Sequence, residues 1–376
     1  MIKKLICLIS ICFSFVGMAF AENYAVLVSA GKTYSDNTDL NSMYWYELYL
    51  AYEYLLGTEN YDSTNVYVFY GDGVDYNSDI PRFQPSFNNW GTITDYNNSY
   101  STMCNVLSSL NEVMTDDDNL LFYWVIGHGN FIRQNPDNYI AFIENRNTEL
   151  SKSQVKDMVD LISHYNKRKI IWNTCHSGCI GVGSINLNND KTVILTATSF
   201  DKESYLFDYN LISNGCSMTC FTHALYSIGT GHFPHEALNL NLHAGWNRPV
   251  YYYLTHISDK YYRMSYDDSI ISFYDMYLLL AKMNYYYYSL FSQPDDCIYN
   301  HQLYGSELAK KVFIREDQTI QNKTLTLNES YWLNQLEINN VSVANNKNID
   351  LDIDIDDHFL IESNTSIPVG STLLVK

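Results

Sequence analysis

Positive charge is scarce in this sequence. The chain carries 23 Lys and Arg residues against 42 Asp and Glu residues, which gives a formal net charge of -19 at pH 7. Proteins that bind nucleic acids present basic patches to the phosphate backbone, and proteins that dock on anionic membranes need the same charge. The balance therefore predicts no nucleic-acid partner and no docking on an anionic bilayer.

Long hydrophobic runs are also missing, apart from one at the N-terminus. Lys3 and Lys4 precede an apolar segment over residues 5–18, and Ala19-Phe20-Ala21 follows it. This order is typical of a secretory signal peptide with an A-x-A cleavage site, and the apolar segment is short for a membrane span. A membrane anchor is the alternative. We expect residues 1–21 to be removed and the mature protein to be secreted or held at the cell surface or in the periplasm, without stable membrane insertion.

Patterns that bind metal ions are absent as well. His232 and His235 have ligand-like spacing, but no further residue completes a set of ligands. The carboxylates at 350, 352, 354, 356 and 357 lack the glycine of an EF-hand loop and fit a solvated strand face better. The sequence thus predicts no metal site and no cofactor. The chemistry expected from it needs only a cysteine thiol in its reduced form.

Alternating strand and helix signals are what the sequence does contain. Apolar runs predict buried strands at residues 24–30, 66–70, 119–126, 169–174 and 192–199. Apolar residues at helical spacing separate them over residues 43–56, 103–114, 155–162 and 218–228. This alternation predicts an α/β fold with a mostly parallel sheet and right-handed crossovers.

Two of the predicted strands end in reactive side chains. His128 and Gly129 follow one strand, and Cys175 ends another. If these strands are parallel neighbours, both side chains face one crevice at the carboxyl edge of the sheet. A thiol beside an imidazole is a nucleophile–base pair, and the N–H groups of Gly129 and Cys175 can form an oxyanion hole. The alternative is a cysteine that only fills the core.

This arrangement resembles the caspase-like clan of cysteine peptidases. Cys175-His176-Ser177-Gly178 is similar to the metacaspase nucleophile motif, whereas residues 24–31, 66–72 and 95–96 look more like the legumain family. The resemblance covers about residues 23–230 and implies a three-layer α/β/α sandwich acting as an endopeptidase on protein or peptide substrates. Within the clan the legumain family is the nearest match. It also implies an asparagine that orients the histidine, for which Asn37 is the candidate.

Substrate preference is expected to depend on residues near the nucleophile. The resemblance places the pocket for the residue before the scissile bond (P1) at Asn173 and at a segment containing Ser199, Asp201 and Glu203. Asn173 stands where metacaspases carry aspartate, and its amide suits a P1 Asn. The two carboxylates favour a cation instead. The predicted order is therefore Asn first, Arg or Lys second and Asp last.

The remaining sequence divides into two regions. Residues 22–315 are predicted to form the peptidase domain, of which residues 230–315 are rich in tyrosine, and residues 316–376 a small all-β domain with period-two alternation. The β domain resembles C-terminal modules of exported bacterial proteins, which suggests surface attachment or secretion. Two alternative functions remain open: a catalytically inactive surface binding protein on the same fold, and a transpeptidase or ligase that uses the same acyl-enzyme.

Overall fold

The computed structural model describes most of the chain up to residue 230 and parts of the remainder. The described residues are 21–31, 39–59, 61–76, 90–132, 135–143, 148–204, 206–209, 216–230, 272–274, 276–281, 301–310 and strand segments between 317 and 375. The predicted signal peptide (apart from Ala21), Asn37, His232 and His235 lie outside them, as does most of the tyrosine-rich region.

A six-stranded sheet forms the centre of the described structure. Its strands stand in the order β11-β8-β7-β3-β1-β2, and all pairs are parallel except β11 with β8. The strands are β1 (Asn23–Ser29), β2 (Val66–Tyr70), β3 (Asn119–Ile126), β7 (Lys167–Trp172), β8 (Thr192–Thr196) and β11 (Gln302–Tyr304). This confirms the predicted α/β fold with a mostly parallel sheet.

Helices cover both faces of this sheet. They are α1 (Asp39–Glu53), α2 (Tyr100–Val113), α3 (Lys152–Val159), α4 (Cys220–Thr230) and the short α5 (Ser306–Ala309). Ala25 and Leu27 of β1 pack in one core with α1 and α4, while Val26 and Val28 pack in a second core with α2 and α3. Successive side chains of a strand point to opposite faces, so the layers are α/β/α.

A small antiparallel sheet follows β3 and leads into α3. It consists of β4 (Gly129–Phe131), β5 (Tyr139–Ile143) and β6 (Thr148–Ser151), paired in the order β4-β5-β6. Ser151 caps α3 through its side chain, and the Gln154 side chain accepts from the Ser151 backbone N–H. These two bonds form a capping box, of which the sequence Ser-Lys-Ser-Gln over residues 151–154 is typical. The His128 strand is therefore followed directly by a β-hairpin.

Two local predictions differ from the structure. The helix predicted from residue 218 begins at Cys220, because residues 216–219 form strand β10 and pair antiparallel with β9 (Leu206–Tyr209). The helix predicted over residues 43–56 continues past its predicted end, because a π-helical turn, Tyr54–Thr58, follows α1 directly. In both places the spacing of apolar residues does not predict which backbone hydrogen bonds the segment forms.

The C-terminal region forms a separate set of β-strands. Its backbone has a four-stranded parallel sheet in the order β12-β14-β16-β17 and a second parallel pair, β13 with β15. The strands are β12 (Asp317–Gln321), β13 (Thr324–Leu325), β14 (Glu329–Asn339), β15 (Ser342–Val343), β16 (Asn348–Ile361) and β17 (Thr372–Val375). All strand pairs described in this region are therefore parallel.

Candidate active site

His128 lies directly beyond the carboxyl end of the central strand β3. Its carbonyl oxygen accepts a hydrogen bond of 3.0 Å from the Phe142 N–H, which starts the β4–β5 hairpin. The imidazole is half-buried, and the ring of Tyr44 approaches it edge-on with 6.3 Å between centroids. Backbone and ring contacts thus define the position of the histidine.

Cys175 lies beyond the end of β7, the parallel neighbour of β3. Trp124 of β3 is in register with Trp172 of β7, and the Asn173 N–H extends the ladder to the Trp124 carbonyl at 2.9 Å. The strands therefore end at the same level, with the histidine and the cysteine a few residues past their last paired positions. This confirms that the two strands predicted to carry these residues are parallel neighbours.

Gly129 brings the two strand exits into direct contact. A Cβ added at Gly129 would lie 2.1 Å from the Cys175 carbonyl oxygen and 2.8 Å from the Thr174 Oγ1. Only a residue without a side chain allows this approach. Because His128 and Phe142 form a hydrogen-bonded pair, the next pair, Gly129 with Ala141, directs the Gly129 N–H away from β5.

The thiol of Cys175 contacts the segment that follows β8. Its Sγ accepts a hydrogen bond of 3.3 Å from the Ser204 N–H, and the thiol donates to the Ser204 carbonyl oxygen at 3.7 Å. The two groups of one backbone residue thus bind the sulfur from the same side. They hold the Cys175 side chain against the segment that follows β8.

Cys179, the other cysteine of this turn, is in a different environment. It is fully buried, and burial raises the pKa of its thiol to about 12. A thiol with that pKa remains protonated near neutral pH and is a poor nucleophile. The environment therefore distinguishes Cys175, which is half-buried, from Cys179.

Asn173 belongs to a buried network of hydrogen bonds. Its side chain is fully buried, and its Nδ2 donates to the Val125 carbonyl at 2.8 Å and lies within hydrogen-bonding distance of Glu47, Thr219 and Thr222. This network engages the amide nitrogen, while the Asn173 Oδ1 has no hydrogen-bond partner among the described residues. The assignment of Asn173 to the substrate-binding set stays a prediction.

The other predicted pocket residues lie on the segment that touches the thiol. Ser199 is buried and donates to the Asp201 Oδ1 at 2.6 Å, whereas Asp201 and Glu203 are exposed. The Lys202 carbonyl accepts the His176 N–H at 2.8 Å, so this segment packs on the nucleophile turn. Two carboxylates thus stand on the segment that borders Cys175.

Three residues of the site were not identified from the sequence. Tyr139 and Thr174 join the two strand exits through a hydrogen bond of 2.7 Å between their hydroxyls, and Tyr44 contacts the His128 ring. Tyrosine and threonine are ordinary strand formers, so no local pattern marks them. Only the pairing of β4 with β5 places Tyr139 beside the nucleophile turn.

Within the described ranges, no group of three or more His, Cys, Asp or Glu side chains is placed to bind a metal ion. The same part of the chain holds no helix long and apolar enough to cross a bilayer.

Comparisons with known proteins give structural likenesses alone. No family model matches the chain, and no curated protein matches it. Caspase-1 from Spodoptera frugiperda is similar over 56% of this chain and 70% of its own, at 12% sequence identity and a TM-score of 0.32. A structural-genomics protein from Geobacter sulfurreducens covers 75% of this chain and 93% of its own, at 7% identity and a TM-score of 0.36. At these scores neither likeness bears on the chemistry of the site.

Proposed function

We propose that the chain is a cysteine endopeptidase of the caspase-like clan, with Cys175 as nucleophile and His128 as its acid–base partner. The observation that carries this proposal is the contact of Gly129 with the Cys175 backbone at the adjacent ends of parallel β3 and β7. A histidine loop and a cysteine turn held together at the carboxyl edge of a parallel sheet are what nucleophilic acyl transfer requires.

The reaction follows from the groups present. The Cys175 thiolate attacks the scissile carbonyl carbon and forms a tetrahedral oxyanion, which the N–H groups of Gly129 and Cys175 stabilise. Protonated His128 gives its proton to the leaving amine as the C–N bond breaks. Water, deprotonated by His128, then attacks the thioester carbonyl, and the C–S bond breaks. The carboxylic acid product leaves, and the thiolate and protonated His128 are restored.

The charges beside the thiol favour a cationic P1 residue. Asp201 and Glu203 are exposed on the segment that contacts Cys175, while Asn173, on which the preference for Asn depended, is engaged within the core. The proposed order becomes Arg or Lys first, which is closer to the metacaspase type than to the legumain type. Export through the N-terminal segment remains part of the proposal.

A fluorogenic peptide library with varied P1 residues tests the proposal. Wild type should cleave peptides with P1 Arg or Lys, and Cys175→Ala and His128→Ala should be inactive but folded. Cys179→Ala is the matched control from the same turn and should retain the pH optimum and P1 profile. Wild-type protein that cleaves no peptide, or activity that survives in Cys175→Ala, would refute it.

A further inference from the structure

A directional chain of hydrogen bonds ends on the backbone of the proposed nucleophile. The Thr174 hydroxyl donates to the Cys175 carbonyl at 2.9 Å. Its single proton is thereby used, so the 2.7 Å contact with Tyr139 has the tyrosine hydroxyl as donor. The Tyr139 oxygen in turn accepts the Trp172 Nε1–H at 3.0 Å. All three side chains are fully buried, so solvent does not compete for these bonds.

This chain constrains the peptide unit between Cys175 and His176. Thr174 binds its carbonyl group, and its N–H donates to the Lys202 carbonyl at 2.8 Å. A planar peptide unit whose C=O and N–H are both hydrogen-bonded resists rotation about the two single bonds that flank it. One of these is the Cα–C bond of Cys175. The direction in which the cysteine side chain leaves the backbone is therefore fixed.

His176 shows that the constraint maintains an unfavourable conformation. Its φ of 56° lies in the left-handed region, and it is the only residue other than glycine with a positive φ among those described. Such a conformation costs about 1 kcal/mol or more and persists only where neighbouring contacts impose it. The Phe131 ring packs on His176 with 4.5 Å between centroids.

The contact of Phe131 with His176 and the hydrogen bond of Tyr139 with Thr174 both come from one hairpin. Phe131 of β4 and Tyr139 of β5 are directly paired in the hairpin that begins one residue after His128. The element that follows the proposed acid–base residue thus holds the turn of the proposed nucleophile at two points. A rigid hairpin between the two groups maintains their relative position.

We propose that Tyr139 and Thr174 are positioning residues, whose paired hydroxyls hold the Cys175 thiolate in register with His128. This inference rests on the proposed peptidase function. Neither hydroxyl contacts the reacting atoms; each acts through the backbone of Cys175. Small displacements of a nucleophile reduce turnover strongly, while substrate affinity depends on other contacts.

Removal of one hydroxyl at a time tests the proposal. We expect Tyr139→Phe and Thr174→Val each to lower kcat by about ten- to a hundredfold, with little change in KM. Thr174→Ser keeps the hydroxyl and should retain most of the wild-type kcat. Because both residues act through one chain, the double variant should lose little more than either single variant.

A structural role alone predicts another result. If Tyr139→Phe lowers only the melting temperature and leaves kcat unchanged, the proposal is overturned. It is also overturned if Thr174→Ser is as impaired as Thr174→Val, since the hydroxyl would then not matter. The comparison of serine with valine leaves Trp172 and Tyr139 intact, so it remains informative if Tyr139→Phe does not fold.

Alkylation by iodoacetamide, mapped by mass spectrometry, separates this inference from the peptidase function. If no peptide is cleaved by wild type, the proposed function fails, but the alkylation rate of Cys175 below neutral pH still reports on its position. That rate should fall in Tyr139→Phe and Thr174→Val, whereas half-buried Cys104 on α2 should react as in wild type. Equal rates at Cys175 in all three proteins would refute the positioning role.

Discussion

Glu47 is a buried carboxyl group at the centre of the network that binds Asn173. It is fully buried on α1 and accepts hydrogen bonds from the N–H and hydroxyl of Thr219, the hydroxyl of Thr222 and the Asn173 amide. All of these donors are uncharged, so they compensate desolvation only in part. Burial therefore raises the pKa of Glu47 to about 7.

This raised pKa predicts a pH-dependent stability. Between the ordinary carboxyl pKa of 4.5 and about 7 the folded state binds a proton that the unfolded state has released, so the free energy of unfolding falls as pH rises. The loss amounts to about 3 kcal/mol from pH 4 to pH 8. Urea unfolding of Glu47→Gln at both pH values should lack this component.

Glu112→Gln is the matched control because Glu112 is exposed on α2. This variant should keep the pH dependence of the wild type. If Glu47→Gln kept it as well, Glu47 would not be the group that titrates.

Gly129 gives a second prediction at the residue scale. In Gly129→Ala the new Cβ would overlap the Cys175 carbonyl, which is backbone and cannot rotate away. The two strand exits must then move apart, and we expect kcat to fall by about a hundredfold with a destabilisation of about 1–3 kcal/mol. Peptide hydrolysis and thermal unfolding measure the two effects.

Asn130→Ala serves as the control for this substitution. Asn130 is the next residue of β4 and is exposed, so its variant should behave as wild type. Full activity in Gly129→Ala would mean that the two loops adjust without cost, contrary to the proposed close contact.

Some of the site can be predicted from single residues and some cannot. Strand signals place His128 and Cys175 at the carboxyl edge because an apolar run followed by glycine has a strong local signature. For Asn173, two residues before Cys175, no local pattern predicts the direction of the side chain. Its side chain is directed into the core by Glu47, Thr219 and Thr222, all distant in sequence.

In the proposed enzyme, we expect the segment over residues 199–204 to determine substrate preference. Asp201→Asn combined with Glu203→Gln removes both carboxylates from the segment that contacts Cys175, so cleavage after Arg and Lys should weaken about tenfold or more in kcat/KM. Cleavage of a matched peptide with an uncharged P1 residue should change little. The measurement is the library profile of the double variant against wild type.

Asp190→Asn is a suitable control, because Asp190 is exposed in the turn before β8. An unchanged preference for Arg and Lys in the double variant would show that these carboxylates do not contact the P1 residue.

Element boundaries show where local sequence information ends. The capping box at Ser151 and Gln154 predicts the start of α3 correctly, since every interaction in that motif is local. The start of α4 is predicted two residues early, because strand β10 exists only through its pairing with β9. Interactions between segments decide such cases, and a periodic pattern carries no information on them.

At the scale of the molecule, alternating strands and helices were sufficient to predict the five parallel strands of the central sheet, but not its antiparallel strand β11 or the pairing in the C-terminal sheet. Period-two alternation predicts strands over residues 349–355, and β16 contains them. The same alternation occurs in parallel and antiparallel strands, so it does not predict the parallel pairing of β14, β16 and β17. Whether neighbouring strands pair parallel or antiparallel depends on how the chain segments between them connect their ends.

The net charge of -19 affects how substrates reach the proposed site. A negative field over the molecule attracts cationic peptides, and salt screens it with a Debye length of about 10 Å at 0.1 M. We therefore expect kcat/KM for a P1 Arg peptide to fall by severalfold between about 20 and 300 mM ionic strength. A peptide with citrulline at P1, which has the same shape without the charge, should show a much smaller slope.

Two sources of this salt dependence are separable. If Asp201 and Glu203 alone attract the substrate, the double variant Asp201→Asn/Glu203→Gln should lose the slope together with the preference for Arg. If the field of the whole molecule contributes, the double variant should keep most of the slope, because removing two charges leaves a formal charge of about -17. We expect the second result. Equal slopes for the Arg and citrulline peptides in wild type would contradict electrostatic attraction from either source.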